Sequence, residues 1–65
     1  MPRFYVPPHA WNATTLALDA AESHHALNVL RLKKGDRAII FNGQGTEATV
    51  EIAGAREHRV ELRKL

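Results

Sequence analysis

Cysteine is missing from all 65 residues. No disulfide can therefore staple the fold, and zinc sites built on thiolates are excluded. No apolar run approaches the roughly 20 residues that a membrane-spanning helix needs. The N-terminus, MPRFYVPPHAW, lacks the continuous apolar stretch of a secretory signal. Internal repeats and low-complexity tracts are absent too. These absences point to one small soluble domain, expected in the cytoplasm. At this length folding buries only about 60% of the unfolded chain's surface, so stability is marginal without help.

Charge is present, but its total says little. Nine Lys/Arg against seven Asp/Glu leave a formal charge of +2. Its placement says more. Arg31, Lys33, Lys34 and Arg37 fall within one short stretch interrupted by Asp36, and Arg56, Arg59, Arg63 and Lys64 gather near the C-terminus beside Glu57 and Glu61. Each cluster is either an ordinary solvated face or a surface for phosphate.

Arg3 to Val6 alternates polar and apolar residues and then meets Pro7-Pro8, which cannot continue a central ladder, so a short first strand is predicted. Residues 9–15 read as irregular, anchored by Trp11, and Leu16-Ala17-Leu18 as a second short strand or an extended arm. Asp19 has the chemistry of a helix N-cap, with Glu22 placed to complete a capping box. A turn of about 100° per residue groups Ala26, Leu27, Val29 and Leu30 on one arc as core, with Ser23 as its polar intruder. His24, Asn28 and Arg31 share another face, and His25 lies at the edge of the apolar arc, expected to be partly buried with its ring bonded to backbone. The helix should stop near Leu32, where Lys33-Lys34-Gly35-Asp36 supplies turn chemistry.

Arg37 to Asn42 is apolar on both faces, the pattern of a strand covered on two sides. Asn42-Gly43-Gln44-Gly45 reads as a hairpin connection. Thr46 to Ala53 alternates with Ala48, Val50 and Ile52 inward, Gly54-Ala55 is expected to turn the chain, and His58 to Leu65 alternates again with Val60 and Leu62 inward. The fold class is mainly β with one short helix. Its short antiparallel strands should curl into a small barrel whose end the helix closes. Leu65 ends the chain on an apolar residue, which suggests a domain of something longer.

Little here suggests chemistry. Adjacent histidines on a helix point about 100° apart, so His24 and His25 make a poor metal pair, and no metal is expected. Ser23 beside His24 is adjacency rather than a catalytic geometry. The Gly-rich turn has no helix after it to bind phosphate. No carboxylate pair is set for acid–base work. The His24, Asn28 and Arg31 stripe remains. It offers donors and acceptors to phosphate, sugar and base edges, with Lys33 and Lys34 adding attraction. Equally, it reads as a solvated face with Arg31 paired to Asp36 or Glu22.

Taken in order, "PRFYVP", "HHALNVLRLKKGD" and "AIIFNGQGTEATVEI" resemble the N-terminal region of the RsmE family, bacterial 16S ribosomal RNA (uracil-N3)-methyltransferases. The resemblance covers nearly the whole chain. It is most specific at His25, Val29-Leu30-Arg31, Gly35-Asp36, Phe41-Asn42-Gly43 and Gly45; Asn42 stands where many members carry Asp. It implies a PUA-like antiparallel β-barrel over residues 1–65 that positions RNA, followed in the full protein by a knotted SPOUT domain. That domain would bind S-adenosylmethionine and transfer methyl to N3 of a uridine, in a homodimer acting on 16S rRNA of the small ribosomal subunit. Neither catalytic nor cofactor residues fall in this segment, which alone should be inactive. Arg31 gains weight for contact with RNA or for orienting the recognition surface, ahead of Arg3, His24, Asn28, Lys33, Lys34 and Arg37. The rival reading is a protein-interaction or dimerisation module without an RNA role, because "LKKGD" before a strand also recurs in SH3-like barrels.

Overall fold

A computed structural model describes residues 1–12 and 15–65. The chain runs β1 (Arg3–Tyr5), a short 3-10 turn (Pro8–Ala10), β2 (Thr15–Ala17), α1 (Ala20–His24) continued by a π-helical segment (His25–Val29), β3 (Arg37–Phe41), β4 (Glu47–Arg56) and β5 (Arg59–Lys64). Of the stretch expected to be irregular, Ala13 and Thr14 lie outside the described residues.

The strands form one sheet in the order β1-β3-β4-β5-β2. Alternation places Phe4, Leu16, Ala38, Ile40, Val50, Ile52, Val60 and Leu62 on its inner face, where all are buried with Val6, Leu18 and Ala26. Ladders carry the pattern across: Phe4 pairs with Ile40, Ile40 with Ala48, Ala38 with Val50, and Leu62 with both Ile52 and Leu16. The mainly β reading with a single helix holds. The antiparallel barrel does not. β1 runs parallel to β3, and β1 and β2 lie at opposite edges, so the sheet is mixed and open. The connection from β1 to β3 passes through β2 and the helix, long enough for the crossover that a parallel pair demands. Two edge strands of three residues, one followed by Pro7 and Pro8 with no N–H to donate, give too little ladder to close the cylinder.

The β4–β5 turn is also corrected. Gly54 and Ala55 stay in the ladder, opposite Glu61 and Val60, and the register slips between Ile52 and Gly54. That slip is a β-bulge at Ala53, permitted by the extended positive φ of 152° at Gly54. The chain reverses at Glu57-His58 instead, with φ of 53° and 65°. Asn42 turns the chain as expected: its Oδ1 accepts from the N–H groups of Gln44 (2.7 Å) and Thr46 (3.2 Å). β3 is covered fully on its inner face only, since Ile39 and Phe41 are half-buried.

Helix packing departs from the expected arc. Asp19 caps α1, its Oδ1 accepting from Glu22 N–H at 2.8 Å. Glu22 does not return the bond; its carboxylate accepts from Tyr5 N–H at 3.0 Å and ties the helix to β1. From His25 onward the helix widens, and Leu30 N–H donates to His25 C=O, five residues back. A π turn advances each residue by less than an α turn does. Val29 therefore swings outward and is 61% exposed, while Leu30, at the helix end, is 39% exposed. Neither is core. His25 is exposed as well; its ring meets Phe4 edge-on at 6.5 Å and is bonded to no backbone group among the described residues.

Candidate nucleic-acid interface

The two basic clusters have different fates. Near the C-terminus, Arg59 Nε donates to Leu18 C=O at 3.0 Å, Lys64 Nζ donates to Trp11 C=O at 2.7 Å, and Arg63 pairs with Glu51 across the β4–β5 ladder. Those three side chains are engaged within the fold, while Arg56 is exposed and makes no hydrogen bond or ion pair among the described residues. Among the described residues, by contrast, the side chains of Arg31, Lys33, Lys34 and Arg37 make no hydrogen bond or ion pair, and all four are exposed. The partners weighed for Arg31 are engaged elsewhere. Glu22 holds Tyr5, and Asp36 Oδ2 accepts from the Lys33 backbone N–H at 2.8 Å.

This segment is presented rigidly. Arg31 takes φ of 55°, a left-handed conformation that ends the helix, and Leu32 N–H then donates to Ala26 C=O at 2.9 Å. Next comes a type II turn. Asp36 N–H donates to Lys33 C=O at 2.9 Å, with Gly35 at φ of 94° in the position that requires glycine. Gly35 N–H donates to Ile52 C=O and Ile52 N–H to Asp36 C=O, which pins the turn against β4. Cations on a fixed loop suit a phosphate backbone, since less motion is lost on binding.

The remaining candidates divide. Arg3 is already partnered: it pairs with Glu47 and its guanidinium lies 5.6 Å from the centre of the Phe41 ring. The hydrogen bond from Arg3, with its charge, holds the Glu47 carboxyl below the ordinary carboxylate range, and the same bond raises the guanidinium. His24 and Asn28 stay together, with Asn28 Nδ2 at 3.0 Å from His24 Nδ1, but the π turn and the left-handed exit separate Arg31 from them. What joins that pair is His58, which reads in sequence only as the start of the last alternating stretch. Ala20, His24, Leu27, Asn28 and His58 line a cavity of about 400 Å³ between the helix and the β4–β5 turn. No single-sequence signal marks His58, since its approach depends on the turn falling at residues 57–58. Among the described residues no cluster of three or more potential ligands could hold a metal, and no helix is long and apolar enough to cross a membrane.

With this geometry in hand, comparison places the chain. Residues 18–65 match the family model for the RNA methyltransferase PUA domain. Among solved structures, ribosomal RNA small subunit methyltransferase E from Neisseria gonorrhoeae, bound to S-adenosylmethionine, is 34% identical with a TM-score of 0.84; the match covers 100% of this chain and 27% of that one. A Legionella pneumophila protein assigned as a methyltransferase, with the cofactor SAM bound, is 29% identical with a TM-score of 0.83, covering 95% of this chain and 26% of that one. A Porphyromonas gingivalis protein assigned as an rRNA methyltransferase is 28% identical with a TM-score of 0.82, covering 100% and 26%. Among curated proteins none matches in sequence. The chain spans about a quarter of the length of these solved relatives. Sequence match and fold agree that the chain belongs to the family of RNA methyltransferase PUA domains.

Proposed function

We propose that this chain is the RNA-binding module of a ribosomal RNA methyltransferase, and that the Arg31–Arg37 segment grips the phosphate backbone. The observation that carries the reading is the contrast between the clusters: Arg59, Arg63 and Lys64 are engaged by the fold and only Arg56 of that group makes no bond among the described residues, whereas Arg31, Lys33, Lys34 and Arg37 are all unpartnered there and exposed, on a backbone pinned to β4. Arg3 ranks behind them, because a phosphate would have to displace Glu47. In the full protein the module would position a uridine of 16S rRNA for methylation at N3. A C-terminal SPOUT domain would supply the S-adenosylmethionine site, and the whole would act as a cytoplasmic homodimer on the small ribosomal subunit. The methyl group would come from that cofactor; the residues described here contribute binding and orientation alone.

Salt separates this reading from others. Each phosphate neutralised on a single strand adds about 0.7 to the slope of log affinity against log salt concentration. Changing Arg31→Asn, Lys33→Gln and Lys34→Gln together should flatten that slope by about two and weaken binding uniformly across sequences. Asparagine is chosen at position 31 because it tolerates the left-handed backbone. A folded triple variant with the parent's affinity and slope removes the segment from the interface. The exposed Val29 and Leu30 favour the rival reading, a protein-interaction module. Sedimentation decides: self-association that ignores both salt and RNA would favour that module.

A further inference from the structure

The cavity beside the helix is assembled with some effort. Ser23 Oγ accepts from Val60 N–H at 3.0 Å, Leu18 N–H donates to Val60 C=O at 2.9 Å, and Arg59 reaches Leu18 C=O. These bonds fasten the first turn of α1 to the start of β5 and bring His58 beside His24 and Asn28. A two-residue turn with both residues at positive φ is ordinarily built from Asn and Gly. Here Glu57 and His58 occupy it; glutamate rarely adopts this conformation, whereas histidine is among the non-glycine residues that take it more readily. Backbone held in a sparsely populated region collects at working sites.

The cavity wall has the chemistry to receive a planar heterocycle. Asn28 Nδ2 lies 3.0 Å from His24 Nδ1, a contact that holds the two side chains together. One amide N–H and the Oδ1 carbonyl of Asn28 are left over, a donor next to an acceptor. His58 and Leu27 also line the cavity, an aromatic ring and an apolar side chain. It is an open groove, with every lining residue but Leu27 exposed, so a flat group can lie in it with one face in solvent.

We propose that this cavity takes one unpaired nucleobase of the bound RNA, stacked on His58 and met at its edge by Asn28. Every nucleobase carries a donor beside an acceptor on its pairing edge, so the site reads whether a base is unpaired, not which base it is. The inference rests on the RNA-binding reading above.

The test uses three labelled probes: a short RNA single strand, an abasic strand of the same length and charge, and a perfect RNA duplex. The chain should bind the single strand at least about five-fold tighter than the abasic strand, the effect of one stacked base. His58→Gly and Asn28→Ala should each erase that margin and leave abasic and duplex affinities unchanged. Glycine accepts a φ of 65° without strain, so His58→Gly should melt no lower than the parent and its lost margin cannot be ascribed to unfolding. If both folded variants keep the margin, the base site is wrong while the RNA-binding reading stands. A parent chain that binds none of the three probes overturns that reading and the base site with it.

Discussion

Ser23 shows how a single hydroxyl can be required in a small core. It is the buried polar side chain among the described residues, at 0% exposure, and both its roles are filled: Oγ donates to Leu18 C=O at 3.2 Å and accepts from Val60 N–H at 3.0 Å. Ser23→Ala would not affect these two partners equally. Leu18 C=O keeps the Arg59 guanidinium, but Val60 N–H would be left buried and unpaired. The expected loss is about 1–3 kcal/mol, read from urea denaturation; a midpoint that does not move would mean that Val60 N–H finds another acceptor. The sequence marked Ser23 as out of place on an apolar arc, but its reason lay elsewhere. Its partner is 37 residues away, on a strand whose register a linear pattern does not set.

At the scale of elements, legibility followed locality. The Asp19 cap, the Asn42 turn and the inward residues of β4 and β5 depend on neighbours within a few positions, and each stands as the sequence implied. The helix wheel held for Ala26 and Leu27 and failed at Val29 and Leu30, because an α-helical spacing was carried through a π turn that no composition announces. The β4–β5 turn failed differently. Gly54-Ala55 has turn composition and Glu57-His58 does not, yet glycine also permits a bulge, and the bulge won. The strain this leaves at positions 57 and 58 should be measurable. Glu57→Asn with His58→Gly installs the residues such a turn favours and should stabilise the domain by about 1–2 kcal/mol. For a chain of this size each kcal/mol is worth about 4–8 °C in Tm. A melting temperature at or below the parent's would show that the turn carries no strain.

At the scale of the molecule, an open sheet must keep water from a core that a closed barrel would have sealed. β1 and β2 form no ladder with each other, and the described residues 6–12 lie between them in the chain. Trp11 packs against the core from this segment; its Nε1 donates to Val6 C=O at 2.7 Å, and its own C=O accepts from Lys64 Nζ. One residue thus joins the end of β1 to the end of β5, the strand that carries β2. The sequence named Trp11 as an anchor, though not what it bridges, because both partners come from strands whose neighbours only the sheet order reveals. A domain of this length is stable by about 3–10 kcal/mol in total. Trp11→Ala, at about 3 kcal/mol, should consume a large share of that and leave a population unfolded in water, seen as lost β signal in far-ultraviolet circular dichroism. Trp11→Phe keeps most of the packing and gives up the indole N–H, for a loss of about 1 kcal/mol. That ordering separates a plug from a surface aromatic. Were the two variants to unfold at the same urea concentration as the parent, the gap between the edges would need no filling, and the open sheet would be sealed by its twist and helix alone.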